Sequence, residues 1–135
     1  MIMRAAVGVV LLASASACGT SSAPDSFIPP GTWGGEHAAL TVTATDATIE
    51  FDCAHGALPA PVALADGAFD VMGDYVQEHG GPIRIDDPVV RQPARYSGSI
   101  NRRTMTLRVR LTESAQDVGT FTLALGTNGR VFKCL

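Results

Sequence analysis

The sequence is poor in aromatic residues, which make up 6% of its 135 residues, so a core must be built mainly from aliphatic side chains. It contains no stretch of about 20 apolar residues, which excludes a membrane-spanning helix once processing is complete. The net charge is −3, too mild and of the wrong sign for a nucleic-acid binder. No segment holds a 3.6-residue apolar period over three turns, so helices are not expected after residue 30. There are three cysteines, and no phosphate-binding glycine loop or fixed-period repeat. The 46% apolar and 17% charged composition is that of a folding chain, long enough for one small domain. Gly and Pro together number 22, as in a protein of many short elements joined by turns.

The N-terminus is an address. Met1 to Arg4 carry one positive charge, and Ala5 to Ala13 form an apolar run of nine residues, the length of a secretory h-region. Small residues follow, Ser14, Ala15, Ser16 and Ala17, and then Cys18. This segment resembles the bacterial lipoprotein signal, in which a small residue precedes the cysteine that is acylated. Ala15 departs from the pattern, where Leu is usual, and Ala15-Ser16-Ala17 also fits an ordinary A-x-A cleavage site. The following GTSSAPDSFIPPGT has the composition of a tether between an anchor and a domain. The expected organisation is a signal peptide over 1–17, a lipid-anchored tether over 18–31 and a folded domain over 32–135. The resemblance implies a bacterial cell-envelope protein, held to the inner or outer membrane by lipid on Cys18. Soluble periplasmic or secreted protein is the alternative.

With Cys18 assigned to lipid, Cys53 and Cys134 remain as an even pair in an oxidising compartment, where a disulfide is the default. A thiol at Cys53 would stand two residues from His55, the pairing that nucleophilic catalysis uses, so an envelope enzyme at Cys53/His55 is the competing reading. His37, His55 and His79 with Glu36, Glu50 and Asp52 lack any diagnostic metal spacing. Neither a metal nor another cofactor is expected, although a His/carboxylate catalytic site is a further form of the enzyme alternative.

Beyond the tether, alternation of period two dominates. Runs are expected at Trp33–Thr43, Thr48–Ala54, Ala57–Leu64, Ala68–Gln77, Ala94–Ile100, Thr104–Leu111, Val118–Leu125 and Arg130–Leu135. Gly34-Gly35 marks a bulge or close backbone approach. Asp66-Gly67 and Asn128-Gly129 are hairpin signals. About eight strands in chain order imply an all-β fold, a small antiparallel up-and-down barrel, with a two-sheet β-sandwich as the alternative. With Gly31-Thr32-Trp33 at its start, the layout resembles the avidin and lipocalin-like barrels, which implies the fold and no activity. The strings GTWGGEH and IEFDCAHG resemble those of small uncharacterised bacterial exported proteins. Trp33, Phe51, Phe69, Tyr75, Tyr96 and Phe121 fall on inward positions and are enough to fill so small a barrel.

Charge is split along the chain. Residues 1–90 hold eleven of the thirteen acids, and residues 91–135 hold eight of the ten Lys and Arg. This gives either a basic face, with Arg102, Arg103, Arg108 and Arg110 on one hairpin, or cross-strand pairing of early acids with late bases. The segment from His79 to Gln92 is a 14-residue loop, where hairpin loops usually run about 2–5. Asp86-Asp87 before Pro88 reads as a turn initiator. Ile83, Ile85, Val89 and Val90 either fold over the barrel mouth as a lid or present a contact surface. The function expected is noncatalytic binding of a small ligand or envelope protein, with His79, Arg84, Ile85, Asp86 and Asp87 as the contact residues.

Overall fold

The sequence Thr104–Leu111 shows why strands form. Met105, Leu107, Val109 and Leu111 are buried, and the intervening Thr104, Thr106, Arg108 and Arg110 are exposed. A segment with this alternation hides its apolar atoms only as a strand with one covered face. The computed structural model describes residues 18–19, 25–82 and 84–135. The expected signal over 1–17, most of the Gly/Ser/Pro tether and Ile83 lie outside the described residues.

Among the described residues there are eight strands and no helix: β1 (Gly31–Gly35), β2 (Ala38–Val42), β3 (Asp46–Phe51), β4 (Ala54–Pro59), β5 (Ala68–Gln77), β6 (Gln92–Asn101), β7 (Thr104–Leu111) and β8 (Asp117–Leu125). Each pairs antiparallel with the next, and β8 pairs with β1 through Trp33–Leu125 and Gly34–Ala124. The sheet is a closed up-and-down barrel, not a sandwich. Closure removes the unpaired edges that an open meander would expose.

The strands differ from expectation at both ends of the chain. Trp33–Thr43 is two strands, β1 and β2, turned at Glu36-His37 with His37 in the left-handed region at φ 68°. Arg130–Leu135 is not a strand; it makes one parallel bridge, Arg130 to Glu36, and then crosses the end of the barrel. The chain leaves β8 at Gly126 (φ 82°) rather than through a hairpin at Asn128-Gly129. Gly34 is the predicted close approach: a Cβ there would lie 2.1 Å from the Thr127 carbonyl oxygen, so the C-terminal segment packs directly on β1.

The connections define two ends. Residues 36–37, 52–53, 78–91 and 112–116 lie at what we term the loop end, and 43–45, 60–67 and 102–103 at the tether end. Ser26–Ile28 closes the tether end. Ile28 N–H donates to the Val62 carbonyl at 2.9 Å and Leu64 N–H to the Ser26 carbonyl at 2.8 Å. Ile28 and Val62 are buried, and the Trp33 indole donates to the Pro29 carbonyl at 3.0 Å. Residues 26–29, within the segment expected as tether, therefore pack on the barrel end.

Side chains fill the interior. Trp33 and Tyr96 are fully buried, and Phe51 packs against Tyr75 and Phe121 at ring-centre separations of 5.6 and 5.4 Å. The Tyr96 hydroxyl donates to the Asp74 carbonyl at 2.6 Å. Burial, with Asp74 and Tyr75 nearby, holds its phenol well above the ordinary tyrosine value.

Candidate functional site

The 78–91 loop joins the long strands β5 and β6. Gly81 turns it in the left-handed region at φ 98°, a conformation glycine adopts without penalty. A turn follows at 84–87: Arg84 N–H donates to Asp87 Oδ2 and Asp87 N–H to the Arg84 carbonyl, each at 3.1 Å. An Asp side chain closing its own turn is the behaviour expected of this residue type. The return arm is tied by Arg91, whose Nη1 lies 3.0 Å from Asp74 Oδ2.

Arg84, Ile85, Asp86 and Asp87 are thus brought onto one turn. His79 sits at the loop's start, exposed, and makes no hydrogen bond or ion pair to them among the described residues. Ile85 is fully exposed, and Val89 and Val90 are 69% and 62% exposed. These side chains point to solvent and do not form a lid. The barrel interior beneath is already occupied by Phe51, Tyr75 and Phe121.

The base of the loop is held by a cluster built around the disulfide that the sequence led us to expect. Cys53 and Cys134 form a disulfide, with Cα atoms 4.9 Å apart and 81 residues of separation. Closing a loop of that length stabilises the fold by up to about 4.5 kcal/mol in the chain-entropy model. Around it, Cys53 N–H donates to the Phe132 carbonyl at 3.1 Å and Phe132 N–H to Asp52 Oδ1 at 2.8 Å. His37 Nδ1 lies 2.5 Å from Asp52 Oδ2. The Phe132 N–H above all, with His37, lowers the Asp52 pKa against a smaller opposing effect of burial. Lys133, the chain's one lysine, donates to the Ala54 carbonyl at 3.0 Å and to Glu78 Oε2 at 2.7 Å, and also pairs with Glu50. Glu78 N–H in turn donates to the Cys53 carbonyl at 2.8 Å. Three turns of the loop end are thereby strapped together by residues 130–135. The cysteine pair and the split of acids and bases along the chain were its sequence signals; the role of Lys133 was not read from the sequence.

Cys53 carries no thiol, which removes the nucleophile of the Cys53/His55 alternative. His55 Nδ1 lies 3.5 Å from Glu78 Oε1, on the carboxylate that Lys133 also holds. Among the described residues no three His, Cys, Asp or Glu side chains converge as a metal site would need.

The split of charge along the chain resolves into pairs across the sheet. Arg95 pairs with Asp70, Arg91 with Asp74, Arg130 with Glu36 and Lys133 with Glu50 and Glu78. Arg108 pairs locally with Asp117. Arg102, Arg103 and Arg110 enter no ion pair among the described residues.

Comparison with protein-family models, with curated proteins and with solved structures finds no match for this chain.

Proposed function

We propose that this chain is a lipid-anchored protein of the bacterial envelope, acylated at Cys18 after removal of 1–17, whose barrel acts as a noncatalytic binding module through its 78–91 loop. The supporting observation is the placement of Ile85, Val89 and Val90. Three apolar side chains stand in solvent on a loop that leaves the end of the barrel opposite the tether. Exposed aliphatic side chains gathered on one long loop are costly without a partner to cover them. Lys133–Glu78 and Arg91–Asp74 fix the two ends of that loop, which limits the ordering that binding must impose. A protein surface with an apolar hollow and a charged rim, able to take Ile85 and to meet Arg84 or Asp86, fits this tip. The barrel interior is packed, so a small ligand would have to bind outside it.

Photo-crosslinking in cells tests the reading. A photoreactive residue at Ile85 or Val89 should give a discrete crosslinked species that the same residue at Thr41, exposed on the barrel wall, does not give. Correctly folded protein with no crosslink from either loop position would overturn the loop as the contact element.

A further inference from the structure

The β6–β7 hairpin carries an exposed depression lined by Ser99, Asn101, Arg102, Arg103, Thr104 and Thr106. Its chemistry is of one kind: two guanidinium groups, three hydroxyls and an amide, with no carboxylate among the six. Ser99 stands opposite Thr106 and Asn101 opposite Thr104, so the strand register sets the polar groups side by side beneath the arginines. Arg102 heads the turn in the left-handed region at φ 58°. Donors in this arrangement suit a phosphate oxygen set.

Position completes the case. Arg103 donates through Nη2 to the Leu125 carbonyl at 3.0 Å, and Leu125 N–H donates to the Arg103 carbonyl at 2.9 Å. Leu125 pairs with Trp33, and Gly126 N–H donates to the Thr32 carbonyl at 2.7 Å. The hairpin therefore adjoins the start of β1, on the end of the barrel where the N-terminal segment packs. From Cys18 to Ser26 is eight residues, a reach of at most about 28 Å. An anchor at Cys18 keeps this end within that distance of the bilayer surface.

Resting on the lipid-anchor reading above, we infer that Arg102 and Arg103, with the hydroxyls of Ser99, Thr104 and Thr106, bind the phosphodiester headgroups of anionic lipids. The tether end then docks on the membrane, and the 78–91 loop points away from it. Phe27, half-exposed on the same end, adds an aromatic side chain at the interface.

The full chain is mixed with nanodiscs of phosphatidylcholine alone or with 30% phosphatidylglycerol (a fraction of about one-third, chosen to give a strong negative surface). Hydrogen exchange of the 98–106 amides is followed by mass spectrometry. Exchange at the 101–104 turn should slow at least about threefold on the anionic discs. Arg102→Gln with Arg103→Gln should abolish the slowing, because two arginines near an anionic surface supply about thirtyfold in binding. Arg110→Gln, which removes an equivalent charge from the same strand pair near the loop end, should leave it intact. Equal exchange on the two disc types, or equal slowing in the double variant, would overturn the site. Slowing by free glycerol phosphate but not by anionic discs would make it a soluble-phosphate site and overturn the headgroup assignment. The intact mass of the same samples reads Cys18. Slowing without acylation would defeat the anchor and keep the site, and acylation without slowing would do the reverse.

Discussion

Lys133 Nζ lies 2.7 Å from Glu78 Oε2 and 3.0 Å from the Ala54 carbonyl oxygen. One ammonium group thus joins the C-terminal segment to the start of the 78–91 loop and to the first residue of β4. Ammonium donors satisfying carbonyl oxygens at a turn leave no buried acceptor unpaired. Lys133→Met should destabilise the domain by about 1 kcal/mol, discounted because the side chain is 37% exposed. Urea unfolding at neutral pH measures it. Glu78→Gln should cost a similar amount, and the two changes together less than their sum, since both remove the Lys133–Glu78 pair.

The strap also carries a pH dependence. Asp52 is held below the ordinary carboxylate value by the Phe132 N–H and His37, and Glu78 by its hydrogen bond to Lys133, each against some burial. A carboxyl whose folded pKa is depressed adds stability that is present above its unfolded pKa and lost as pH falls through the folded one. Asp52→Asn should therefore lower stability at neutral pH, and the difference from wild type should shrink as pH falls below the ordinary carboxylate value and vanish once the folded-state carboxyl is protonated. Lys133 moves the other way: burial opposes its charge, but hydrogen bonds to Glu50 and Glu78 raise its pKa overall. Its contribution is complete below the ordinary lysine value and fades as pH rises past the raised one. Paired melts of wild type and variants across pH check both limbs.

Tyr96 lies in a slot that glycine makes. A Cβ on Gly56 would stand 2.2 Å from the Tyr96 hydroxyl and 2.4 Å from the Asp74 carbonyl oxygen, which leaves the ring no room to move. Gly56→Ala should cost about 2–3 kcal/mol or prevent folding, as overpacking in a close-packed core does. Tyr96→Phe should cost only about 1 kcal/mol, the worth of one neutral hydrogen bond, with the ring retained. Thermal unfolding of the two variants separates the steric term from the hydrogen-bond term.

Where one face of a strand is buried, local sequence carried the fold: Ala68–Gln77 and Thr104–Leu111 have the bounds their alternation sets. The β1–β2 turn was hidden because Glu36-His37 has no Gly, Asn or Pro, and alternation continues on both sides of it. The tail misled for a non-local reason. Val131 and Phe132 favour extended backbone, but β1 is already paired with β2 and β8 and has no edge left for a further strand. The loop's apolar residues were compatible with a lid until the rings of Phe51, Tyr75 and Phe121 were seen to occupy the space beneath. Cys53 and Cys134 were legible as a pair, and the ion-pair and hydrogen-bond cluster around them was not, because its members come from four separate segments.

In the reading proposed above, acylation at Cys18 sets which end of the barrel faces the membrane and which presents the loop. Intact-mass and N-terminal peptide spectrometry of the protein taken from native envelope membranes reads it in one measurement. The expected result is a chain beginning at Cys18 and carrying acyl chains, with Cys18→Ser unacylated and lost from the membrane fraction. A soluble wild-type chain with an unmodified Cys18, whether cut at that bond or not, would contradict the lipid-anchored reading.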